Sequence, residues 1–304
     1  MFMVSASYLI LLVMVLVGVA FVTLMEQKIL AGTQIRVGPN NVGYWGLFQP
    51  FADAVKLLNK ETASSRAVNL SVYYVSPVLS LSLALVLWVV YPFSEGGLDL
   101  MFSVLFFMCI SGLGVYPILS SGWSSNCKYS MLGSLRAVAQ MVSYEVSLAM
   151  ILLSIIWVSG SFSFSVLMNN QYLVWNMFLF SPLGYVWLVS SLAETNRTPY
   201  DFAEGESELV SGFNTEYGSG GFTLIFMGEY ANILLMSVLF SIMFVSSGPL
   251  SGSTLLKGML VGFWFVWVRA TLPRYRYDKL MGLAWKSFLP VSLVLFSYYL
   301  MAGQ

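Results

Sequence analysis

One acidic segment, 194–217, holds the residues best suited to proton chemistry; its sequence is ETNRTPYDFAEGESELVSGFNTEY. Only Arg197 opposes its six carboxylates. If part of the segment is helical, Asp201, Glu204 and Glu208 share one face, and in a poorly solvated site such carboxylates exchange protons as a coupled set. The alternative is a solvated surface loop, which the interleaved apolar residues disfavour. The carboxylates are Glu194, Asp201, Glu204, Glu206, Glu208 and Glu216.

Two further carboxylates, Glu145 and Glu229, interrupt long apolar stretches. Glu145 lies in LRAVAQMVSYEVSLAM, where a helical wheel puts it nearly opposite Arg136 and more than about ten ångströms further along the axis. Glu229 is likewise a lone acid in FMGEYAN. A carboxylate at membrane depth is costly, so both are candidates for proton or ion relay, with a structural polar contact as the alternative.

Composition indicates that these acids lie in a membrane protein. Of 304 residues 58% are apolar and 9% are charged, and the mean hydropathy is +0.79, whereas a soluble domain has about 25% charged residues. A bilayer crossing needs about 20 apolar residues. The sequence therefore predicts an all-α polytopic protein, a single integral membrane domain of residues 1–304 with about eight transmembrane helices. Their approximate ranges are 4–25, 70–92, 100–120, 135–158, 172–193, 221–247, 254–270 and 285–302.

The distribution of positive charge predicts the orientation of these helices. With eight crossings, the segments after helices one, three, five and seven share a side, and they and their helix ends carry every Lys and Arg except Lys257. Because positive residues stay on the side of synthesis, both termini are predicted to lie outside. The acidic segment is then an inner loop of about 194–220. The first helix is expected to be retained, since no cleavage site follows its apolar core.

A short amphipathic helix is predicted at about 47–61, after the first crossing. Pro50 falls in its first turn, where proline is tolerated, and Asp53 lies on its polar face. The pattern is typical of a helix in the membrane interface, either a simple float or the cover of a hydrophobic crevice. Two charges precede it: Glu26 is either interfacial or buried, and Arg36 is either a headgroup anchor or part of a site.

The last inner loop carries a cluster of cations interleaved with two tyrosines. Such a cluster anchors topology or binds anionic lipid. Docking of a partner's acidic face and neutralisation of the carboxylates are equally compatible with it. The cations are Arg269, Arg274, Arg276 and Lys279.

Two absences exclude several kinds of site. There is no histidine, so the chain offers no imidazole ligand for haem or metal and no imidazole acid or base. Cys109 and Cys127 are too few for a four-thiolate iron–sulfur cluster, and they are either free thiols or one disulfide. Any redox centre is therefore expected in another subunit.

Several motifs together resemble a known family. They are ETNRTPYDFAEGESELVSGFNTEY with QIRVGPNNVG, QPFADAVKL, LRAVAQMVSYEV and PRYRYDKLMGLAWK, and they extend over essentially the whole chain. The sequence is identified by them as a member of the subunit 1 family of the proton-pumping NADH:ubiquinone oxidoreductases, respiratory complex I. Its compact 304-residue form resembles the mitochondrially encoded members.

The resemblance implies a core membrane-arm subunit of the mitochondrial inner membrane, with both termini on the intermembrane-space side and no catalytic activity alone. It implies ubiquinone as substrate, FMN and iron–sulfur clusters held by partner subunits of complex I, and lipid such as cardiolipin, but not nucleic acid, as a further partner. No metal site is implied. The implied quinone-channel residues are Arg36, Asp53, Phe226 and Arg274, and the implied proton path comprises Glu145, Glu194, Asp201, Glu204, Glu206, Glu208, Glu216 and Glu229.

The chain departs from the family pattern beside the expected channel. Relatives commonly have an arginine where this chain has Gln27 and a lysine where it has Val37. Two cations are thus lost, so the position of the channel mouth is carried over from the family but its detailed charge is not.

Two other functions are compatible with parts of the pattern. A free-standing secondary transporter or cation channel would use the acidic segment as its pathway, but transporters show internal repeats and paired broken helices, and only one such segment is present. The homologous subunit of a membrane-bound hydrogenase shares the segment but reduces no quinone. The interfacial helix and the compact length favour the quinone enzyme.

Overall fold

The computed structural model describes residues 2–62, 67–93, 97–98, 100–203, 205, 211–248 and 252–302. These residues form helices joined by turns and contain no strand, which confirms the all-α prediction for this part of the chain. Residues 284–288 form a π-helical stretch between the last two helices. The α-helices are α1 Phe2–Thr33, α2 Gln49–Leu58, α3 Leu70–Leu87, α4 Ser103–Leu113, α5 Val115–Ser124, α6 Lys128–Ser159, α7 Phe164–Asn169, α8 Asn176–Leu179, α9 Ser181–Glu194, α10 Ser219–Phe244, α11 Ser253–Thr271, α12 Tyr277–Leu283 and α13 Leu289–Ala302.

Six stretches of the described residues are long and apolar enough to cross a membrane. They correspond to the predicted first, second, third, fourth, sixth and eighth crossings. The predicted fifth crossing contains α8 and the 14-residue α9, and the predicted seventh matches α11, whose 19 residues include two cations. The six are Val4–Thr33, Leu70–Val90, Ser103–Ser124, Lys128–Ser159, Ser219–Phe244 and Tyr277–Met301.

The central element is α10, which packs against α1, α3 and α11. Its sequence is apolar all round, as is typical of a helix enclosed by others. Both Glu229 and Tyr230 lie on it, so the polar groups of α10 point into protein. The fold therefore places one of the two predicted intramembrane acids at the centre of the bundle.

Side chains from neighbouring segments cap the C-terminal end of α10. A helix leaves its last carbonyl groups without intrahelical partners. Gln171 Nε2 donates to the carbonyls of Ile242 and Met243 at 2.8 and 2.9 Å, and Lys257 Nζ donates to that of Val245 at 2.9 Å. A cation at a helix C-terminus is also favoured by the helix dipole. The one cation predicted on the outer side thus has a structural role.

The predicted amphipathic helix is present as α2, shorter than expected at Gln49–Leu58, with proline in its first turn. It packs against α1 and α10. Phe51 contacts Phe21 of α1 edge to face, with ring centroids 6.2 Å apart. Phe51, Val55 and Leu58 nevertheless remain exposed, so the helix has an apolar face left over for lipid or for a neighbouring subunit.

The two cysteines of the chain are not linked. Cys109 and Cys127 are free thiols, so the disulfide alternative is wrong.

Helices α5 and α6 approach closely because Gly122 faces Ser134. A Cβ added at Gly122 would overlap with the side chain of Ser134 and lie 3.0 Å from the carbonyl oxygen of Ser130. Two helix turns lie against each other here with no space for a methyl group. The contact depends on the absence of a side chain at this position.

We therefore expect Gly122→Ala to force α5 and α6 apart and to destabilise the protein by about 1–3 kcal/mol, as overpacking of a tight interface does. The measurement is the thermal denaturation midpoint of the detergent-solubilised protein in its native assembly. Gly32→Ala is the control, because an added Cβ there has no heavy atom within 4 Å and alanine is the better helix former. Equal midpoints for Gly122→Ala and the wild type would contradict the prediction.

Candidate functional site

A buried ion cluster surrounds Glu26, near the end of α1. The side chain is only 5% exposed. Its Oε1 accepts from Arg197 Nη1 at 3.3 Å and also from Arg269 Nη1, and its Oε2 accepts from Tyr230 Oη at 2.6 Å. The sequence left open whether Glu26 is interfacial or buried, and the structure shows that it is buried and paired.

Arg197 is the permanent cation of this cluster. Its guanidinium lies 4.3 Å from the ring centroid of Tyr230, a cation–π arrangement. Burial alone would lower the pKa of Arg197, but the negative charge of Glu26, followed by Tyr230 and Glu229, holds that pKa above its usual value. Arg197 therefore stays charged at any physiological pH.

A recess of about 290 Å³, the carboxylate recess, opens beside this cluster. Asp201 lies on its wall and pairs with Arg274, with Nη2 and Oδ2 3.1 Å apart. Phe226 of α10 supplies an apolar surface. The recess can accept a molecule with a polar head and an apolar body. Its polar and acidic lining consists of Thr23, Glu26, Gln27, Asn196, Arg197, Thr198, Asp201, Glu229, Tyr230 and Arg269.

A second cavity of about 80 Å³, the core cavity, lies between α3, α4, α5, α9 and α10. Glu194, the last residue of α9, lines it together with Asn232 of α10. Among the described residues, Glu194 Oε2 and the side-chain oxygens of Asn196 and Asn232 are buried without a hydrogen-bond partner. The cavity is lined mainly by apolar side chains, but at these polar groups it has room for a few water molecules.

Glu229 and Asn196 line both the carboxylate recess and the core cavity. The two spaces therefore adjoin at these side chains. Glu145 lies further along: its Oε1 is so close to Gly112 of α4 that a Cβ there would be 2.8 Å away. Glu145 is close enough to Glu194 for the two carboxylates to repel each other. Glu229 and Glu194 thus both line the core cavity, and Glu145 lies near Glu194 outside that lining.

Arg36 lies apart from these residues, in an exposed recess of about 780 Å³ formed by the loop after α1, the loop recess. Gln49 lines it too and donates to Asp53 Oδ1 at 2.8 Å. The loop recess and the carboxylate recess share Gln27 and Leu30. Gln27 thus lies at their boundary.

The structure brings four of the twelve predicted site residues together at the carboxylate recess. Asp201, Phe226 and Glu229 line the carboxylate recess, with Arg274 paired to the first. Glu216 lines none of the three spaces described above; its backbone carbonyl accepts from Tyr73 Oη at 2.9 Å. Glu204, Glu206 and Glu208 lie outside the described residues.

Sequence reasoning missed Tyr230, Asn196 and the partnership of Glu26 with Arg197 and Arg269. Neither Tyr230 nor Asn196 carries a charge that would have marked it in the sequence. No spacing rule connects residues 26, 197 and 269, since the three meet only through tertiary packing. Within the described part of the chain, no group of three or more His, Cys, Asp or Glu side chains could hold a metal ion.

Comparison with known proteins gives matches to one family over nearly the whole chain. The family described as NADH dehydrogenase matches residues 6–300. NADH-ubiquinone oxidoreductase chain 1 of Aedes aegypti is 56% identical over 285 residues, 94% of this chain and 91% of the relative. The proteins of the same name from Locusta migratoria and Branchiostoma lanceolatum are 53% and 52% identical, over 96% and 92% of this chain and 93% and 89% of their own lengths.

We expect Glu26→Gln to destabilise the protein by about 3–5 kcal/mol, because Arg197 would stay buried without its counter-charge. The measurement is again the thermal denaturation midpoint of the solubilised native assembly. Asp278→Asn is the matched control: it also neutralises one partner of an ion pair, but Asp278 and Arg276 are both more than 70% exposed, and such surface pairs contribute about 0–1 kcal/mol. Similar midpoints for both variants would contradict the prediction.

Proposed function

Because the chain belongs to the NADH-ubiquinone oxidoreductase chain 1 family, and is thus a membrane-arm subunit of complex I, we propose that it forms part of the ubiquinone channel and an acidic path from that channel into the membrane arm. The observation that carries the proposal is the contact of the carboxylate recess with the core cavity at Glu229 and Asn196. Identity over nearly the full length disfavours both the transporter and the hydrogenase alternatives.

The carboxylate recess suits a quinone head group because it combines ionised groups with an apolar wall. We assign the head group to the space between Phe226 and the Asp201–Arg274 pair, with Arg36 and Asp53 nearer the mouth. The electrons come from redox centres in partner subunits, FMN and iron–sulfur clusters. This chain supplies the charged surroundings in which quinone becomes quinol.

Reduction of a quinone takes up protons as well as electrons, so the charge in the recess changes during turnover. In the proposal, Asp201 and Glu204 respond to that change first. Glu229 borders the recess and the core cavity and passes the change to Glu194, and Glu145 continues it toward α4. Glu206, Glu208 and Glu216 complete the acidic set. The ion pairs of Glu26 with Arg197 and Arg269 contribute charges beside this path.

We also propose the finer topology, with eight crossings in the mitochondrial inner membrane and both termini in the intermembrane space. Helices α9 and α11 would then cross along with the six long apolar helices. The positive charges support this arrangement, because they gather at the inner ends while Lys257 caps α10 at the other end. The cation-rich loop around Arg274 and Arg276 would face the matrix, where anionic lipid such as cardiolipin or a partner subunit can bind it.

For the acidic path, we expect Glu229→Gln in the intact complex to lower NADH:quinone reductase turnover about tenfold or more, since glutamine has the shape of glutamate but takes up no proton. NADH oxidation with ferricyanide should stay unchanged, because that reaction bypasses the membrane arm. Glu61→Gln, at an exposed carboxylate that lines neither cavity, is the control. Normal quinone turnover and a normal proton-to-electron ratio in Glu229→Gln would remove the assignment.

For the topology, we expect a cysteine at residue 252 to react with a membrane-impermeant maleimide in mitoplasts, and one at residue 218 to react only after permeabilisation. Gly252→Cys and Gly218→Cys both have open space around an added Cβ, and serine at Cys109 and Cys127 removes the background. If α9 and α11 did not cross, the two labelling patterns would be exchanged.

A further inference from the structure

One buried glutamine, Gln140 of α6, joins the two ends of the turn that carries the acids. Its side chain is fully enclosed. The Nε2 group donates to the carbonyl oxygen of Ala193 at 2.7 Å and to that of Tyr200 at 2.8 Å. These are both of the donors that a glutamine amide has. Gln140 therefore connects the end of α9 to a point seven residues later in the chain.

The turn formed by residues 193–201, which this amide bridges at Ala193 and Tyr200, contributes side chains to both cavities. Glu194 immediately follows Ala193 and lines the core cavity, whereas Asp201 immediately follows Tyr200 and lines the carboxylate recess. Between them, Asn196 lines both spaces and Arg197 pairs with Glu26. The position of each of these groups depends on the base of the turn, which Gln140 fixes.

The orientation of the amide is determined by its neighbours. A rotated amide would direct Oε1 at two carbonyl oxygens, which are acceptors and repel it. In the observed orientation Oε1 is buried with no hydrogen-bond partner among the described residues. An unsatisfied buried atom is destabilising, and an apolar side chain of the same size would avoid that penalty. The two hydrogen bonds that Gln140 donates to Ala193 and Tyr200 therefore explain why a glutamine occupies this position.

We propose that Gln140 is a positioning residue for proton-coupled quinone reduction: its amide holds the acid of the carboxylate recess and the acid of the core cavity at a fixed separation. A change of charge at Asp201 shifts the carbonyl of Tyr200, and the shared amide transmits the shift to Ala193 and so to Glu194. This inference rests on the function proposed above, because it requires protonation at the two sites to be coupled.

The test replaces Gln140 with side chains of similar volume in the intact complex. Gln140→Glu offers one donor when its carboxyl is protonated and none when it is ionised, and the ionised form faces two carbonyl oxygens. Quinone reductase turnover should then fall, relative to the wild type, by about fivefold or more between about pH 6 and pH 8.5. Gln140→Met has no donor, so its turnover should be low and should not acquire that pH dependence.

A matched control exists at the other end of the bundle. Gln171 is also buried, and its Nε2 group also donates to backbone carbonyls, those of Leu167, Ile242 and Met243, but it touches neither cavity. Gln171→Glu should keep the pH profile of the wild-type quinone reaction. Ferricyanide reduction by NADH should be unchanged in all three variants, and the proton-to-electron ratio should fall only in the Gln140 variants.

The inference is overturned if Gln140→Glu has the wild-type pH profile, or if Gln171→Glu acquires the same pH dependence. Failure of both Gln140 variants to assemble, while Gln171→Glu assembles, would also overturn it and leave Gln140 a purely structural residue. Glu229→Gln separates this inference from the proposed function. If that variant is impaired and the Gln140 variants are not, the positioning role alone fails. If Glu229→Gln is normal, the acidic path itself fails.

Discussion

A carboxylate can be buried in an apolar interior only when a cation offsets its charge, and the geometry of the site depends on such a pairing: buried Glu26 contacts the largely buried Arg197 and the partly exposed Arg269. The carboxylate comes from α1, Arg197 from the 193–201 turn, and Arg269 from α11, while Tyr230 of α10 completes the hydrogen bonding. Moving Arg197 away from Glu26 would leave a buried charge without its partner. Segments that are far apart in sequence are therefore held at fixed positions around the carboxylate recess.

The surroundings of Glu194 in the core cavity differ from those of Glu26. Glu26 is surrounded by cations and remains an anion, but Glu194 has a buried oxygen with no partner among the described residues and lies within the influence of Glu145. A carboxyl group in such a place is neutral or charged according to small changes nearby. The protein thus places groups of constant charge beside groups of variable charge, with Glu229 and Asn196 at the boundary.

Much of this arrangement was open to prediction from the sequence, and the remainder has a common reason for being missed. The apolar stretches, the interfacial helix and the lone acids Glu145 and Glu229 follow from composition and periodicity, which are local properties. The pairing of Glu26 with Arg197, and the hydrogen bonds from Gln140 to Ala193 and Tyr200, join residues far apart in the chain, and no local sequence pattern indicates them. A buried glutamine in an apolar helix also gives no sign of which carbonyl groups it will bind. The predicted fifth and seventh crossings are not among the six long apolar stretches of the described residues, because α9 is short and α11 contains two cations.

The capping of α10 has a consequence for how the subunit can move. Gln171 and Lys257 hold the last carbonyls of α10 at its C-terminal end, and Tyr230, near the middle of the helix, is bound to the ion cluster. A displacement of α10 along its axis would break hydrogen bonds at both places. Movement of loops and side chains around a stationary α10 disturbs fewer of these contacts.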